Sequence, residues 1–210
     1  MSRDDSVSIF DEWAERYDAS VAAHRTDGLW ARYDEVLDLV VHRANVARGS
    51  RVLDIGCGTG NLTARCVAVG AQVLGVDPSG SMVERARAKP ELADAAFAVL
   101  GDPFLCIPCG DAEFDCVVST YAFHHVPYDR HRHALTEMLR VLAPAGTVAI
   151  GDVMFGDPPE HEAAMREFPF LDDEWYGHVD LLADAAKALG ASLAAERVTP
   201  YTWVVWTAAR

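Results

Sequence analysis

The 210-residue sequence has few basic residues and no long apolar segment. Lysine and arginine total 18 against 32 aspartates and glutamates, which gives a formal net charge of -14 at pH 7. Binding to nucleic-acid phosphates or to anionic membrane surfaces requires Lys/Arg-rich surfaces. No segment approaches the length needed to span a bilayer. The composition therefore argues against nucleic-acid and membrane partners, and it suits a small neutral or cationic ligand, although diffuse acidity also serves solubility.

Export signals and cysteine-based sites are also lacking. The stretch MSRDDSVSIFDEW is polar and acidic and has no apolar segment of a secretory signal, so we expect a cytoplasmic protein with reduced thiols. The five cysteines are Cys57, Cys66, Cys106, Cys109 and Cys116. The Cys106-x-x-Cys109 spacing occurs in zinc and redox sites, but a structural zinc ion needs four recognisably spaced ligands and a redox pair normally lies at a helix N-terminus. We therefore predict no metal site.

From residue 51 the chain alternates short β-rich runs with helical patterns. The predicted strands are 51–55, 72–77, 95–100, 114–119 and 146–153. The predicted helices are 7–24, 29–46, 61–70, 79–89 and 129–142, and residues 157–190 are mostly helical. Residues 191–210 contain two strands whose joint is too short for a parallel crossover. The pattern predicts an α/β fold with a Rossmann-like, seven-stranded, mostly parallel sheet, an antiparallel last strand and helices on both faces.

The stretch LDIGCGTGN (53–61) is the strongest functional signal. Gly56, Gly58 and Gly60 lie between a predicted strand and a predicted helix, where glycines let the backbone turn sharply and approach a ligand. Asp77 ends the next strand, where a carboxylate can accept hydrogen bonds from ribose hydroxyls, and Asp102 follows the third. Three consecutive strand ends therefore present a ligand site at one edge of the sheet, since ligands of such sheets bind outside the carboxyl ends of the strands.

A dinucleotide-binding fold is the alternative interpretation of this turn. Its G-x-G-x-x-G fingerprint would place the third glycine where Asn61 stands, one residue after Gly60. Asp54 also lies inside the turn, where a carboxylate next to an anionic pyrophosphate is unfavourable. A ligand with a ribose, an adenine and a cationic centre fits better, while the glycines in themselves could also serve strand–helix packing.

With these motifs the chain resembles the class I S-adenosylmethionine-dependent methyltransferases. The matching stretches are VLDIGCGTG, VLGVDPSGSM, LGDP, FDCVVSTYAFHHV and the C-terminal hairpin. Within that family it looks most like the small bacterial YrrT-type group, through FDEWAERYD (10–18) and STYAFHH. The resemblance implies S-adenosylmethionine as cofactor and one domain over 1–210. That domain would comprise an N-terminal helical cap (1–48), a cofactor-binding core (51–153), a helical lid (157–190) and a C-terminal β-hairpin (191–210).

The resemblance also implies roles for individual residues of the cofactor site. Gly56, Gly58 and Gly60 would lie along the methionine and ribose portions of the cofactor. Asp54 would help to hold the amino group, Asp77 the ribose hydroxyls and Asp102 the adenine amino group. Tyr17, and with it Trp13, would close over the methionine end, and Ser119 would face the cofactor with its backbone. Many relatives have a small or polar residue where Pro103 stands. Because proline removes a backbone donor, the amide bond to the adenine ring that the resemblance implies would come from Phe104 instead or be absent.

The adjacent His124 and His125 follow the fourth strand, at the edge of the sheet where the cofactor is expected. If the acceptor is a hydroxyl or an ammonium group, a base must take up a proton, and histidine is suited to that role near neutral pH. Neighbouring side chains diverge, so we predict that one imidazole faces the cavity as a catalytic base and that the other bonds the loop or faces water. The alternative is an ordinary pair of loop histidines.

The methyl acceptor is expected beside this histidine pair. We predict that Tyr121, Asp152, Trp175 and Tyr176 contact it, with Phe155, Phe168 and Phe170 as further aromatic candidates, although aromatic residues more often belong to the core. The predicted function is transfer of a methyl group to a small molecule, giving S-adenosylhomocysteine. The alternatives are a non-catalytic protein that binds S-adenosylmethionine or S-adenosylhomocysteine, and an enzyme that does other chemistry on the same fold, such as one that binds NAD.

Overall fold

The computed structural model describes residues 10–11, 13–24, 30–167 and 174–207. Within them, eight strands form one sheet in the order β3-β2-β1-β4-β5-β8-β7, and β6 pairs with β5 beside this path. The strands are β1 (Arg51–Ile55), β2 (Gln72–Asp77), β3 (Ala96–Val99), β4 (Phe114–Thr120), β5 (Leu142–Phe155), β6 (Gly177–His178), β7 (Leu193–Arg197) and β8 (Thr202–Thr207).

Strands β1 to β5 pair in parallel, and β8 runs antiparallel to both β5 and β7. This arrangement confirms the predicted fold class, with the two-residue β6 as an addition to the seven expected strands. The strand order reverses between β1 and β4, which are neighbours although two strands separate them in the chain. A crevice opens at such a reversal beyond the carboxyl ends of the strands, and ligands of open α/β sheets bind there.

Helices cover both faces of the sheet. Those described are α1 (Tyr17–His24), α2 (Tyr33–Arg43), α3 (Asn61–Val69), α4 (Gly80–Ala88), α5 (His131–Val141), α6 (Pro158–Glu167) and α7 (Val179–Ala188). Each face of the sheet has its own hydrophobic core, and strand β1 contributes to both. Its Val52 packs with α2 and α3 on one face, while Leu53 and Ile55 pack with α5 and α7 on the other. All three side chains are fully buried, as expected for a central parallel strand with both faces covered.

Helix ends follow the predicted capping chemistry. The Ser79 hydroxyl accepts a hydrogen bond from Met82 N at 3.1 Å and so caps α4. Gly70 ends α3 in the left-handed region with a φ of 94° and donates its amide to the carbonyls of the last turn. The first two strand–turn–helix units, β1–α3 and β2–α4, therefore have the boundaries that the sequence predicts, to within one residue.

The N-terminal segment differs from its prediction. A continuous helix over 7–24 is wrong, because residues 14–16 form a turn and α1 begins at Tyr17. The amide of Arg16 bonds the carbonyl of Trp13, which is the short spacing of a tight turn. The second predicted helix begins at Tyr33 rather than at residue 29, after Arg32 in the left-handed region with a φ of 60°. Residues 1–9, 12 and 25–29 lie outside the described part of the chain.

Two further segments differ. Strand β5 begins at Leu142 rather than at residue 146, and its pairing with β4 shifts register between Phe114 and Cys116. The mostly helical stretch 157–190 contains β6, which pairs with Met154 and Phe155 of β5. A Cβ at Gly177 would lie 3.1 Å from Leu182 Cδ1 and 3.4 Å from Met154 Cγ, so a side chain there would be tight against α7 rather than against the paired strand. In the described residues, no helix combines the length and apolarity needed to cross a membrane.

Gly151 on β5 allows α2 to pack closely against the sheet. A Cβ at this position would lie 2.8 Å from both Val36 Cγ1 and Val40 Cγ2, which belong to buried side chains. We predict that Gly151→Ala lowers the free energy of unfolding by about 1–3 kcal/mol, because an added methyl group overpacks this contact. The measurement is urea unfolding, in which the midpoint should fall while the slope stays unchanged.

Gly80→Ala is the matched control. Gly80 is the first residue of α4, and a Cβ there would meet no atom within 4 Å among the described residues. Alanine favours helix and restricts the unfolded chain, so this variant should be neutral or stabilised by up to ~1 kcal/mol. Equal destabilisation of the two variants would contradict the packing explanation.

Candidate active site

A cavity of about 520 Å³ opens beyond the carboxyl ends of β1, β2 and β4. One part of its wall is formed by the glycine turn and by the acidic strand ends, including Gly56, Gly58, Asp77 and Asp102. The remaining wall is largely aromatic and contains one of the paired histidines. The lining residues of that part are Phe10, Tyr17, Tyr33, Tyr121, Ala122, His125, Val126, Pro127, Arg130, Glu174 and Trp175.

The glycine turn lies directly against the loop that follows β4. Gly56 has a φ of 71°, and a Cβ there would lie 2.3 Å from Ala122 Cβ, so any larger residue would push the loop away. Gly58 has a φ of 52°, and a Cβ there would meet no described atom within 4 Å, because this position faces the cavity. Gly60 precedes α3, and its α-carbon faces Leu92 rather than the cavity. The turn therefore exposes its backbone to a ligand at Gly56 and Gly58.

Asp77 lines the cavity and also holds the glycine turn. Its carboxylate accepts hydrogen bonds from Gly58 N at 2.8 Å and from Ser79 N at 2.9 Å. Burial nevertheless raises the pKa of Asp77 to about 6, since two amide donors do not replace the lost hydration. A ligand that donates hydroxyl groups to this carboxylate would supply the missing hydrogen bonds. The sequence indicated the ligand contact but not the bond to Gly58.

Asp54 lies behind the turn and not on the cavity wall. Its Oδ2 accepts a hydrogen bond from Thr63 Oγ1 at 2.6 Å, and its buried Oδ1 has no partner among the described residues. Burial raises the pKa of Asp54 to about 7, and the charge of Asp77 adds to this shift. Two poorly compensated carboxylates therefore flank the glycine turn, an electrostatic setting that favours a cationic ligand and opposes an anionic one.

Asp102 lies on the cavity wall after β3. Its Oδ1 accepts a hydrogen bond from Leu105 N at 3.2 Å, so the carboxylate shapes the short loop in which it sits. Phe104 packs edge-on against Phe123 at 5.5 Å and is buried. Pro103 also lines the cavity without a backbone donor.

The histidine loop is fixed by a buried carboxylate. Asp152, at 1% exposure, accepts hydrogen bonds from Phe123 N at 2.7 Å and His124 N at 3.2 Å, and it lies 2.6 Å from His124 Nδ1. Burial lowers the pKa of His124, but the charge and hydrogen bond of Asp152 outweigh it, and the pKa is raised overall. His124 and Asp152 thus form a pair behind the cavity wall and not on it.

His125 points into the cavity. Its Nδ1 lies 3.1 Å from Glu174 Oε2, and Phe10 packs edge-on against its ring at 5.1 Å. Burial and the neighbouring charge of His124 lower the pKa of His125, although Glu174 opposes them. The His125 ring is therefore neutral at neutral pH. Glu174 was not predicted, and the sequence carries no spacing signal that connects it with a residue 49 positions earlier.

Aromatic residues form the wall opposite the glycine turn. Tyr121 has a φ of 51°, stacks on Tyr33 at 5.2 Å and packs against Trp30 in a tilted arrangement at 4.8 Å. Tyr17 lies edge-on to Trp13 at 5.0 Å, and burial holds the pKa of its hydroxyl well above the usual range. Both Tyr17 and Tyr121 line the cavity, and Tyr33, for which the sequence analysis predicted no role, lines it beside them.

The remaining predicted residues divide between wall and core. Trp175 lines the cavity, and its amide donates to the carbonyl of His124 at 3.0 Å. Tyr176 stacks on His124 at 5.8 Å from the far side, and Phe155 is in the core. The Ser119 hydroxyl is buried without a partner among the described residues, whereas its neighbour Thr120 reaches the cavity. Phe168 and Phe170 lie outside the described residues.

Two carboxylates fasten the N-terminal segment over the site. Asp18 accepts hydrogen bonds from Thr59 Oγ1 at 2.6 Å and Asn61 Nδ2 at 3.1 Å in the glycine turn, and pairs with Lys89 Nζ at 2.9 Å. Asp11 accepts hydrogen bonds from the Ser79 hydroxyl and from Ser81 N at the start of α4. The segment that supplies Phe10 and Tyr17 is therefore bonded to the turn below it. Sequence reasoning did not identify either carboxylate.

Metal ligation finds no support in the part of the chain that the structure describes, where no group of three or more His, Cys, Asp or Glu side chains could hold an ion. Cys57, Cys66 and Cys116 are buried, Cys109 is partly buried and Cys106 is exposed. The site is thus built from carboxylates, aromatic rings and one neutral imidazole.

Comparison with known proteins gives a consistent assignment. Residues 52–146 match a family model described as a methyltransferase domain. An uncharacterized methyltransferase of Bacillus pumilus is 32% identical over 210 residues, which cover 95% of each chain. The structure of DhpI in complex with SAH superimposes with a TM-score of 0.74 at 23% identity, covering 99% of this chain and 96% of that one. A Haloferax volcanii methyltransferase in complex with its activator Trm112 gives 0.73 at 22% identity, covering 95% and 97%.

The two structural neighbours show the fold, and the Bacillus relative shows the family because it matches this chain over nearly its whole length. The glycine turn and the acidic strand ends of the cavity are the features on which the resemblance rested. The chain belongs to this methyltransferase family, of the class I S-adenosylmethionine-dependent type.

Proposed function

We propose that the protein transfers the methyl group of S-adenosylmethionine to a small-molecule acceptor and releases S-adenosylhomocysteine, as a member of the YrrT-type group. The observation that supports this is one continuous cavity in which Gly58, Asp77 and Asp102 lie opposite aromatic residues and His125. Its volume of about 520 Å³ falls within the range typical of small-molecule sites.

The donor end of the cavity fits the cofactor by its chemistry. S-adenosylmethionine supplies a methyl group on a cationic sulfonium when bound. The carboxylate of Asp77 would accept hydrogen bonds from the ribose hydroxyls, and Asp102 would bond the adenine amino group. Asp77, which is ionised above a pH of about 6, gives this end negative charge that complements the sulfonium and the ammonium group, and Asp54 behind the turn adds to it as the pH rises through about 7. The open space at Gly58 leaves the backbone of the turn accessible to the ligand.

The same charges weigh against a dinucleotide. A pyrophosphate at the glycine turn would lie beside Asp54 and Asp77, and no third glycine stands at position 61. A protein that only binds the cofactor would use the donor end in the same way. It would have no use for a neutral imidazole on the opposite wall, and this feature favours an enzyme.

The acceptor end suggests how the chain handles the acceptor. Tyr17, Tyr33, Tyr121 and Trp175 would hold an apolar or flat acceptor against the methyl group and exclude water. His125 would take up the acceptor proton, and the buried pair of His124 with Asp152 would keep the loop in place. We further propose that 1–210 is a single domain acting in the cytoplasm, with 1–48 as a cap and 157–190 as a lid over the core.

Turnover with a panel of small acceptors tests the proposed function. The purified protein is incubated with S-adenosylmethionine and with alcohols, phenols, amines and thiols, and S-adenosylhomocysteine release is measured. We expect release that depends on one class of acceptor. Tight cofactor binding without turnover on any acceptor would favour the non-catalytic alternative, and preference for NAD over S-adenosylmethionine would contradict the proposal.

Binding at the ribose end should depend on pH through Asp77. Because ribose hydroxyls stabilise the ionised carboxylate, binding should release a proton below the free-state pKa of about 6. We predict that the affinity for methylthioadenosine is constant at higher pH and weakens as the pH falls below about 6. This ligand has the ribose and adenine but no amino acid group that titrates near neutral pH. The pH dependence measured by calorimetry therefore arises from titrating groups of the protein.

Asp77→Asn should weaken this binding about 10- to 150-fold, or ~1.5–3 kcal/mol, and should flatten its pH dependence. Asp115→Asn is the control, since Asp115 pairs with the exposed Arg51 at the opposite end of the sheet. An Asp77→Asn variant with wild-type affinity would remove Asp77 from the binding site.

The two histidines should differ when replaced. We predict that His125→Ala lowers turnover by roughly 10²–10⁴-fold and leaves S-adenosylhomocysteine affinity nearly unchanged, since a base contributes about this much. His124→Ala should instead lower the free energy of unfolding by about 1–3 kcal/mol, because Asp152 keeps its burial and loses its imidazole partner. Full activity of His125→Ala in steady-state kinetics would reduce this residue to an ordinary loop position.

A further inference from the structure

We propose that Glu174 is a positioning residue that holds the proton of His125 on Nδ1, so that Nε2 accepts a proton from an acceptor nucleophile that is a hydroxyl, an amine or a thiol. The inference rests on the proposed function and extends it to a pair of residues and to a class of acceptor. A thioether or a tertiary amine has no proton to lose and would not need this pair.

The hydrogen bond between the two side chains determines the tautomer. Glu174 Oε2 lies 3.1 Å from His125 Nδ1, and an ionised carboxylate can only accept. Nδ1 must therefore carry a hydrogen. A neutral imidazole carries one N–H, so Nε2 is left with a lone pair. Among the described residues nothing donates to Nε2, and it remains the basic atom of the ring on the cavity wall.

Packing holds this arrangement in place. The side chain of Glu174 is 19% exposed and that of His125 is 27% exposed, so both are largely withdrawn from solvent. The amide of Trp175 donates to the carbonyl of His124, which ties the segment of Glu174 to the histidine loop. Phe10 covers the imidazole from another side. A base held in this way needs little reorganisation before it accepts a proton.

The neighbouring pair of His124 with Asp152 serves a different purpose. Asp152 accepts hydrogen bonds from the backbone amides of Phe123, His124 and Val153 in addition to the imidazole, and neither side chain lines the cavity. The pKa of His124 is raised by Asp152 and that of His125 is lowered by burial, so a proton resides more readily on His124 than on His125. The charged groups that act on His125 are thus His124, Glu174 and Asp152.

The reaction balances without a further reactant. A lone pair of the acceptor atom forms a bond to the methyl carbon, and the carbon–sulfur bond breaks with its electron pair remaining on sulfur. The acceptor proton moves to His125 Nε2. The resulting imidazolium is stabilised by the carboxylate of Glu174, and it returns the proton to water after the products leave.

Nitrogen NMR of the histidine rings tests the tautomer directly. The wild-type protein is saturated with S-adenosylhomocysteine, and the His125 signals are assigned with a His125→Asn variant. We expect a protonated Nδ1 and an unprotonated Nε2 at neutral pH. In Glu174→Gln this preference should be lost, and the pKa of His125 should fall because a negative charge is removed. A wild-type ring protonated on Nε2 would overturn the proposal, and so would signals unchanged in Glu174→Gln.

Kinetics on the acceptor found by the panel provide the second readout. Glu174→Gln should lower kcat, by less than the roughly 10²–10⁴-fold expected for His125→Ala, and should move the acidic limb of its pH profile to lower pH. Glu174→Asp should recover part of the rate. Glu162→Gln is the control, since Glu162 is exposed on α6. An unchanged kcat and pH profile in Glu174→Gln would refute the positioning role.

The two readouts separate this proposal from the proposed function. The NMR experiment requires only bound S-adenosylhomocysteine and no turnover, and its wild-type arm needs no folded variant beyond the His125→Asn protein used for assignment. Absence of turnover on every acceptor would overturn the proposed function even with the expected tautomer. Turnover with Nε2 protonated would overturn the Glu174 proposal alone.

Discussion

The geometry of the site depends on the hydrogen bonds that the buried carboxylate of Asp152 accepts. Asp152 lies near the C-terminal end of β5. In the loop after β4 its carboxylate accepts hydrogen bonds from the amides of Phe123 and His124, and it also bonds the His124 ring. These hydrogen bonds hold the loop against the sheet, where Ala122 packs directly against Gly56 of the glycine turn. His125 is carried to the cavity wall by the same loop. Loss of this carboxylate would release the cavity wall and the imidazole together.

In the ligand-free protein, burial destabilises the ionised carboxylates at the donor end of the cavity. Asp54 and Asp77 have raised pKa values because burial opposes their ionised forms. A carboxyl group whose pKa is higher in the folded protein than in the unfolded chain makes the fold less stable as the pH rises through that interval. Cationic and hydroxyl groups of a ligand would stabilise the ionised carboxylates and so offset the cost of burying them. Stability and ligand recognition are therefore opposed at this edge of the sheet, as is common at binding sites.

The sequence predicted the core of the fold well, because its information is local there. Glycine turns, the Ser79 cap and the alternation of strands and helices are recognisable within ten residues, and they place Asp77 and Asp102 at the same edge. The break in the helix before Tyr17 and the short strand at Gly177 depend on tertiary contacts, which a periodic pattern does not contain. Glu174, Asp11 and Asp18 act on residues about 40 to 70 positions away, so no spacing rule could have revealed them. Nothing in the local pattern distinguishes the two adjacent histidines, so which of them faces the cavity could not be predicted.

The bonds of Asp11 and Asp18 have a consequence for the order of events in a catalytic cycle. They join the N-terminal segment to Thr59, Asn61 and Ser79, which belong to the same turn and helix start that border the donor end. These bonds therefore border the part of the cavity that contains Gly58 and Asp77. If a ligand can leave only after these bonds open, its residence time depends on Asp11 and Asp18. Substitutions of these two carboxylates would then change the rate of ligand exchange while the reacting groups stay the same.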